Sequence, residues 1–377
     1  MSDRNFQPPA GARVIVGLSG GVDSAVAALL LREAGCRVEA LFMQNWDADD
    51  TYCTSAQDFQ DARAICGELD LTLHRVDFSA QYRQQVFADF LHEHARGRTP
   101  NPDVLCNREI KFGVAAQYAR RLGAEFFATG HYARRIDDGG DGAALFKGRD
   151  AAKDQSYFLH SLTREQLGTA TFPLGDLDKA EVRRIAQRAG LPVHDKRDST
   201  GICFIGERPF REFLATHLPA SPGWIETATG ERVGEHQGLA FYTLGQRGGL
   251  QIGGRAGHGS APWYVAAKDS GRNVLLVVQQ HDHPLLLAEQ LETAPMHWIG
   301  PPPDASFACT ARLRHRHADQ HAVAEPQFSG RVVLRFAKPQ RAATPGQYAV
   351  LYRGDHCLGG AAIDRVAIIA SSTAEVS

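Results

Sequence analysis

The residues able to do chemistry in this chain fall into three stretches, one rich in glycine and two built around a cysteine. Gly17-Leu18-Ser19-Gly20-Gly21-Val22-Asp23-Ser24 follows the apolar run Val14-Ile15-Val16 and precedes an Ala/Leu-rich run from Ala25 to Leu31. That order, closed by Gly35, predicts strand, tight loop and helix. Glycine lets the backbone take positive φ and come close to a ligand. Successive N–H groups, the Ser19 and Ser24 hydroxyls and the positive end of the helix can then converge on phosphate oxygens. No Gly-Lys-Ser/Thr is present, so the loop is not a Walker P-loop. The second stretch, Pro100-Asn101-Pro102-Asp103-Val104-Leu105-Cys106-Asn107-Arg108-Glu109-Ile110-Lys111-Phe112, and the third, Lys196-Arg197-Asp198-Ser199-Thr200-Gly201-Ile202-Cys203-Phe204-Ile205, each set a thiol among cations. A cysteine in the first turn of a helix near Arg108 and Lys111 has its thiolate favoured, hence reactivity near neutral pH; the same logic applies more weakly to Cys203. Asp103 either assists a proton transfer or caps its loop.

Stepping outward to the elements, Arg37 to Met43 predicts a second strand, so strand, helix and strand form a βαβ unit with its crossover. A helix from Thr54 or Ser55 to about Leu69, a strand over Leu71 to Val76 and a helix from Gln81 to His94 continue a doubly wound α/β pattern. The helix carrying Cys106 is expected to start near that residue and run to Leu122, followed by a strand from Glu125 to Thr129. In such a sheet ligands bind beyond the carboxyl ends of the strands, so Gly17 to Ser24, Met43 to Asn45, the Cys106 loop and Gly130-His131 should face one crevice. Tyr132 to Lys147 predicts a hairpin, and Asp178 caps a helix with Glu181 three residues on. From Pro219 short β-like runs punctuated by Gly and Pro replace helical periodicity. The expected organisation is a parallel-sheet catalytic domain over 1–218, a small β-rich domain over 219–282 and a β-barrel over 283–377. The barrel carries a basic strand, Arg312 to His317, suited to a phosphate backbone.

With 377 residues, 43% hydrophobic and 22% charged, the chain is long enough for two or three domains. A net charge of −2 gives no global attraction to nucleic acid, so any RNA surface is a local cluster of the 41 basic residues. No apolar run is long enough for a membrane span and the N-terminus has no signal core, which gives the expectation of a cytoplasmic protein without membrane contact. Seven cysteines with no C-x-x-C pair argue against a disulfide framework or a cysteine-rich zinc site, and no metal-ligating set is assigned. Cys36, Cys66, Cys309 and Cys357 read as buried small hydrophobes. Cys53, behind an acidic loop, stays open.

Ser-Gly-Gly-Val-Asp-Ser resembles the pyrophosphate loop of enzymes that split ATP between its α and β phosphates. Taken with Pro-Asn-Pro-Asp-Val-Leu-Cys-Asn-Arg-Glu-Ile-Lys-Phe and Asp-Ser-Thr-Gly-Ile-Cys-Phe-Ile-Gly-Glu-Arg, the chain resembles the bacterial tRNA-specific 2-thiouridylase (MnmA) family of the adenylating PP-loop superfamily. The match extends through Thr129 to Tyr132, Lys153 to Tyr157, Phe241 to Arg247 and Pro345 to Gln347. The resemblance implies an adenine nucleotide alpha hydrolase-like first domain and ATP, with magnesium on its phosphates, bound by Gly17, Leu18, Ser19, Gly20, Gly21, Val22, Asp23, Ser24, Met43 and Gly130. It implies Asn101, Pro102 and Asp103 at the target base, and His131, Lys153, Asp154, Gln155, His315, Arg316 and Gln347 at the tRNA. Arg314-His315-Arg316 has a histidine where an aromatic residue would be expected. Cys106 takes the place of the nucleophile and Cys203 that of the persulfide carrier, the two forming a disulfide in the reaction. The implied activity is sulfur transfer to the wobble uridine of tRNAs for lysine, glutamate and glutamine, fed by a sulfur carrier or cysteine desulfurase. Of two rivals, an amidating ligase has no use for the cysteine pair, and a catalytically idle RNA-binding module predicts no tRNA-dependent pyrophosphate release.

Overall fold

The structure is a computed structural model and describes residues 4–46, 55–137, 142–198, 209–253 and 259–369. Cys53 and residues 199–208, Cys203 among them, therefore lie outside the described residues. Strands β1 (Arg13–Gly17), β2 (Arg37–Gln44), β3 (Leu73–Asp77), β4 (Phe126–Ala128) and β7 (Ala170–Thr171) form a sheet in the order β3-β2-β1-β4-β7, with every pairing parallel. Val14, Ile15 and Val16 of β1 are all buried, as a strand covered on both faces requires. In the helix Val22–Glu33, Ala25, Val26, Ala27, Ala28 and Leu29 are all buried, in one core cluster with Val14 and Val16 of the sheet and Val182 and Ala186 of the helix Lys179–Arg188. The connections run one way from β1 to β3 and the other way from β4 to β7, so the switch point lies between β1 and β4. There the loop Gly17–Ser24 and the turn Thr129–His131 leave the sheet side by side, where an open α/β sheet makes its crevice.

The hairpin β5 (Ala133–Asp137) and β6 (Ala143–Lys147) forms as expected but belongs to another sheet. Its strand β6 pairs with His356–Ile368 through His356↔Phe146 and Cys357↔Leu145. That partner is the last strand of a barrel made of Leu287–Thr293, Val332–Arg341, Gln320–Pro326, Phe307–Arg312, Tyr348–Arg353 and His356–Ile368, closed by the pairing of the first with the last. Closure removes the free edges. A four-stranded sheet of Trp263–Asp269, Val274–Gln279, Gly223–Thr227 and Arg232–His236 stands between them in the chain.

Two local expectations are corrected. The helix bearing Cys106 begins at Pro102, not near Cys106. The Asn101 side chain accepts from the Asp103 N–H at 3.2 Å and Pro102 fills the first helical position, a strong start signal. The helix then passes through a π-helical stretch, Cys106–Ala115, bent at Gly113, and ends at Arg121. The basic stretch Arg312 to His317 is a strand only as far as Arg312. Beyond it the chain turns, with the His317 N–H donating to the Arg314 carbonyl at 3.0 Å, because the side chains of Arg314 and His315 dock inward.

Burial lowers His94 and His160 from the ordinary 6.5 to about 4, although backbone carbonyls of Ala240 and Tyr157 oppose the shift. Both are neutral in the fold, and a depressed histidine contributes stability that is present above 6.5 and lost as pH falls toward 4. The melting midpoint is therefore expected to drop across that window. A His94→Gln variant should lose part of the drop, read by thermal unfolding at stepped pH.

Candidate active site

At the switch point the sequence fixes the loop twice over. Gly20 has φ +75°, and a Cβ there would lie 2.3 Å from the Asp58 carbonyl oxygen. Only glycine fits. Gly130 approaches the same loop from β4, where a Cβ would lie 2.8 Å from Asp23 C and Ser24 N. A Cβ on Gly17 would meet Phe127 at 3.1 Å and the Met43 methyl at 3.3 Å, so Gly17, Met43 and Gly130 converge as expected. Ser24 Oγ accepts from the Ser19 N–H at 3.2 Å and donates to the Gly21 carbonyl at 3.1 Å, so this hydroxyl braces the loop. The helix Val22–Glu33 starts at Gly21 with no side-chain cap, leaving its first N–H groups for an anion. Asn45 Oδ1, at the carboxyl end of β2, is buried with no hydrogen-bond partner among the described residues. A glycine cradle, an uncapped helix end and an orphaned acceptor fit a nucleotide.

The segment leading to Cys106 is held from the far side by the β-rich parts of the chain. Lys268 Nζ donates to the Gly97 carbonyl at 2.8 Å, and Arg98 donates to Asp364 Oδ1 at 2.8 Å and the Ile363 carbonyl at 3.0 Å. The Thr99 N–H donates to the Pro345 carbonyl at 3.0 Å, and Gln347 Nε2 donates to the Thr99 carbonyl at 2.7 Å. Gly346, at φ +93°, lets the two backbones meet: a Cβ would lie 2.8 Å from Thr99 N. Gln347 thus holds Thr99, two residues before Asn101-Pro102-Asp103. Burial raises the Asp103 carboxyl above its ordinary 3.8 against the charges of Lys111 and His315, a direction that suits a group exchanging a proton. Cys106 is 3% exposed and lies in the buried cluster that includes Ile110, Tyr157 and Leu159. It stands a full turn inside the helix, and Arg108 Nε pairs with Glu109 at 2.6 Å, so both helix end and guanidinium act on it less than the sequence suggests.

Of the residues that the resemblance assigns to RNA, most are wired together. Asp154 is 2% exposed and accepts from Gly148, Ser156 and, at 2.7 Å, Arg312 Nη1. His315 Nε2 lies 2.8 Å from the Asp154 carbonyl, with its ring 4.4 Å from that of Phe158. Gln155 Oε1 accepts from the Tyr132 N–H at 3.0 Å. His131 is buried beside Phe112 and Phe172, shares a 2.7 Å hydrogen bond with Thr129 Oγ1, and is held neutral because burial drives it well below 6.5. Arg316 and His317 are exposed on this turn, whereas Arg314 donates to Leu244, Ala342 and Thr344.

Sequence reasoning missed the ion pairs that join these parts. Lys179 Nζ lies 2.8 Å from both Asp23 oxygens and 2.7 Å from Asp198 Oδ1, and Tyr132 Oη donates to Asp23 Oδ1 at 2.7 Å. Asp198 also takes Lys153 at 2.7 Å and Arg183 at 3.1 Å. Burial pushes the Asp198 carboxyl up, but hydrogen bonds from Lys153 and Lys179, with their charges, outweigh it and hold it at about 2. Lys196 donates to the Gly20 carbonyl at 3.0 Å, Asp58 at 2.8 Å and Asp61 at 2.5 Å. Residues 196 and 198 thus bring the chain entering the Cys203 stretch to the glycine loop. No local pattern marks these pairs, because their members lie far apart in the chain.

None of the described cysteines Cys36, Cys66, Cys106, Cys309 and Cys357 is in a disulfide, and the Cys106–Cys203 pair cannot be described because Cys203 lies outside the described residues. Burial raises the Cys36 thiol and pushes Cys66 and Cys309 to about 11 and Cys357 to about 12, which makes them poor nucleophiles. Among the described residues no helix is long and apolar enough to cross a membrane.

Residues 12–207 match the family described as tRNA methyl transferase HUP domain, 211–279 the tRNA methyl transferase PRC-barrel domain and 288–363 the aminomethyltransferase beta-barrel domain. The chain is 54% identical over 361 residues to the tRNA-specific 2-thiouridylase MnmA of Dichelobacter nodosus, covering 95% of this chain and 96% of that one. It is 52% identical over 364 residues to the protein of the same name from Marinobacter nauticus, covering 95% and 93%. With that of Chromohalobacter salexigens it shares 55% over 354 residues, covering 93% and 92%.

Proposed function

The chain belongs to the tRNA-specific 2-thiouridylase family, and from that premise we propose that it spends ATP on the carbonyl of the wobble uridine in tRNAs for lysine, glutamate and glutamine and replaces the oxygen by sulfur. It is a sulfurtransferase that acts on tRNA. The observation that carries this is identity above half across nearly the whole of both chains.

A carbonyl oxygen is a poor leaving group, and AMP on it makes the ring carbon attackable. The uridine oxygen attacks the α-phosphorus of ATP, the bond to the bridging oxygen breaks, and pyrophosphate departs with the electron pair while the ring nitrogen gives up its proton. Asp103, whose carboxyl burial raises above its ordinary range, suits that proton. The uncapped helix end and glycine cradle receive the phosphates. Magnesium, when bound with them, supplies positive charge, and Asp23, the carboxylate of the loop, is the group that would meet it.

Sulfur then arrives as a persulfide on Cys203, from a carrier or a cysteine desulfurase. If Cys106 thiolate attacks the inner sulfur, a Cys106–Cys203 disulfide forms and the outer sulfur is reduced to hydrosulfide, which attacks the ring carbon and expels AMP. In the alternative order the outer sulfur attacks the base directly and Cys106 resolves the product to the same disulfide. Either way an external thiol must reopen the pair. Because Cys106 is buried, it meets its partners only when RNA loosens the clamp that Gln347, Pro345 and Asp364 place on Arg98 and Thr99.

The family descriptions speak of methyl transfer, which favours a second reading. Purified protein with ATP, magnesium, sulfide, an added sulfonium methyl donor and unmodified tRNA separates them by mass analysis of the anticodon nucleosides. Sulfur for oxygen at the wobble uridine is expected. A methylated base, or an unchanged one despite pyrophosphate release, would overturn the proposal.

A further inference from the structure

We propose that the cavity between the four-stranded sheet, the barrel and the segment leading to Cys106 binds a small anion with an apolar body, and that its occupancy holds that segment shut. The second half rests on the reading that RNA loosens this segment for thiolation; the first half does not. The cavity has a volume of about 490 Å³, inside the range of about 300–1,000 Å³ that small-molecule sites occupy. Residues 96–98, residues 266–268 of the strand Trp263–Asp269, and residues 342–345 and 364–366 beside and within the barrel strands all contribute to its wall.

Lys268 distinguishes this cavity from a packing gap. It stands on the edge strand of its sheet, where a lysine ordinarily faces water and guards the edge. A register shift between Val265 and Ala267 bends that strand, and Lys268 lines the cavity together with Leu244, Leu286, Ala343 and Val366. Its hydrogen bond goes to the Gly97 carbonyl at 2.8 Å, and among the described residues no carboxylate pairs with it. Burial with no anion to oppose it brings the ammonium from 10.5 down to about 8. The carboxylate on the wall, Asp364, is taken by Arg98 at 2.8 Å and Arg331 at 2.7 Å, and the exposed Arg96 and Arg365 add positive charge.

Pinning Gly97 does not require a charge. An amide would donate to the same carbonyl without leaving a poorly solvated ammonium behind, so a lysine in a mostly apolar wall fits a site that an anion completes. An ammonium has three donors: one holds Gly97 and two remain for a carboxylate, while the aliphatic wall covers the ligand's apolar body. A ligand seated against both sheet and barrel ties together the walls that hold Gly97, Arg98 and Thr99. It therefore opposes the loosening that brings Cys106 to its partners.

The test uses the full chain with octanoate as the probe and octanamide as its uncharged counterpart. Binding is read by isothermal titration, and 2-thiouridine formation is followed with ATP, magnesium, sulfide and unmodified tRNA. Octanoate should bind one to one with a Kd of about 1 mM or tighter, and octanamide about tenfold more weakly or worse. Lys268→Gln keeps a donor for Gly97 and removes the charge, so its melting midpoint should match or exceed that of the wild type while octanoate affinity falls about tenfold or more. At about three times its wild-type Kd, octanoate should slow wild-type thiolation about threefold and that of Lys268→Gln by less than about 1.5-fold. Octanoate that does not saturate below about 10 mM, or that binds no better than octanamide or equally well to Lys268→Gln, overturns the site. If Lys268→Gln does not fold, the two probes on wild-type protein decide alone. Saturable binding that leaves thiolation at its full rate overturns the hold on the Cys106 segment. Wild-type protein that forms no 2-thiouridine overturns instead the proposed function.

Discussion

Cys106→Ser is expected to release pyrophosphate in a first turnover with tRNA yet form no 2-thiouridine, a loss on the order of 10³-fold or more in product. The reason is a division of labour. Activation of the carbonyl needs the glycine loop and a proton acceptor, neither of which is a thiol, whereas release of hydrosulfide from a persulfide needs a second sulfur to take up the bond. A serine hydroxyl can neither form the disulfide nor act as a comparable nucleophile. Cys203→Ser should give the same phenotype, and the double variant should be no worse, because residues that act as a unit are lost together. Cys357→Ser, at a thiol that burial pushes to about 12, should leave thiolation standing. Full 2-thiouridine formation by either Cys106→Ser or Cys203→Ser would mean that sulfur reaches the base without passing through this cysteine pair.

The second large effect belongs to Gly20→Ala. The change forces a side chain into the left-handed region and sets its Cβ 2.3 Å from the Asp58 carbonyl oxygen, so loop and helix Ser55–Glu68 must separate. The conformational strain alone is about 1–2 kcal/mol and the clash adds to it, giving a lower melting midpoint. Function suffers more than stability. The Gly20 carbonyl accepts from Lys196, and Lys196 binds Asp58 and Asp61, so the whole corner moves. KM for ATP in the pyrophosphate assay should rise tenfold or more, about 1.4 kcal/mol of binding. Gly67→Ala, on the same helix with open space around the new methyl, serves as the control and should stabilise by at most about 1 kcal/mol.

Much of this site was legible because it is local. A β-branched run, three glycines with serines and an Ala/Leu run can hardly be anything but strand, phosphate loop and helix, and the strand order that follows places Gly130 beside it. The cap and first-position proline at Asn101-Pro102 were also local signals, but two prolines close together read first as an extended loop, which put the helix start four residues late. The basic run after Arg312 misled for a different reason: charge patterning cannot tell an exposed arginine from one that, like Arg314, spends its donors on backbone carbonyls. What no local rule reaches is long-range pairing. The hairpin β5–β6 was visible, but its adoption by the barrel depends on the edge offered by His356–Ile368. The ion pairs of Asp23, Lys179, Asp198 and Lys153 join residues far apart in the chain and become visible only in three dimensions.

The most direct measurement follows one atom. With tRNA carrying heavy oxygen at the C2 carbonyl of the wobble uridine, and with ATP, magnesium and a persulfide or sulfide source, the label should appear in the phosphate of AMP, one atom for each 2-thiouridine formed. Unlabelled AMP beside thiolated tRNA, or label released only to water, would mean that the oxygen never bonded to the α-phosphorus and that the nucleotide is used for something other than making it leave.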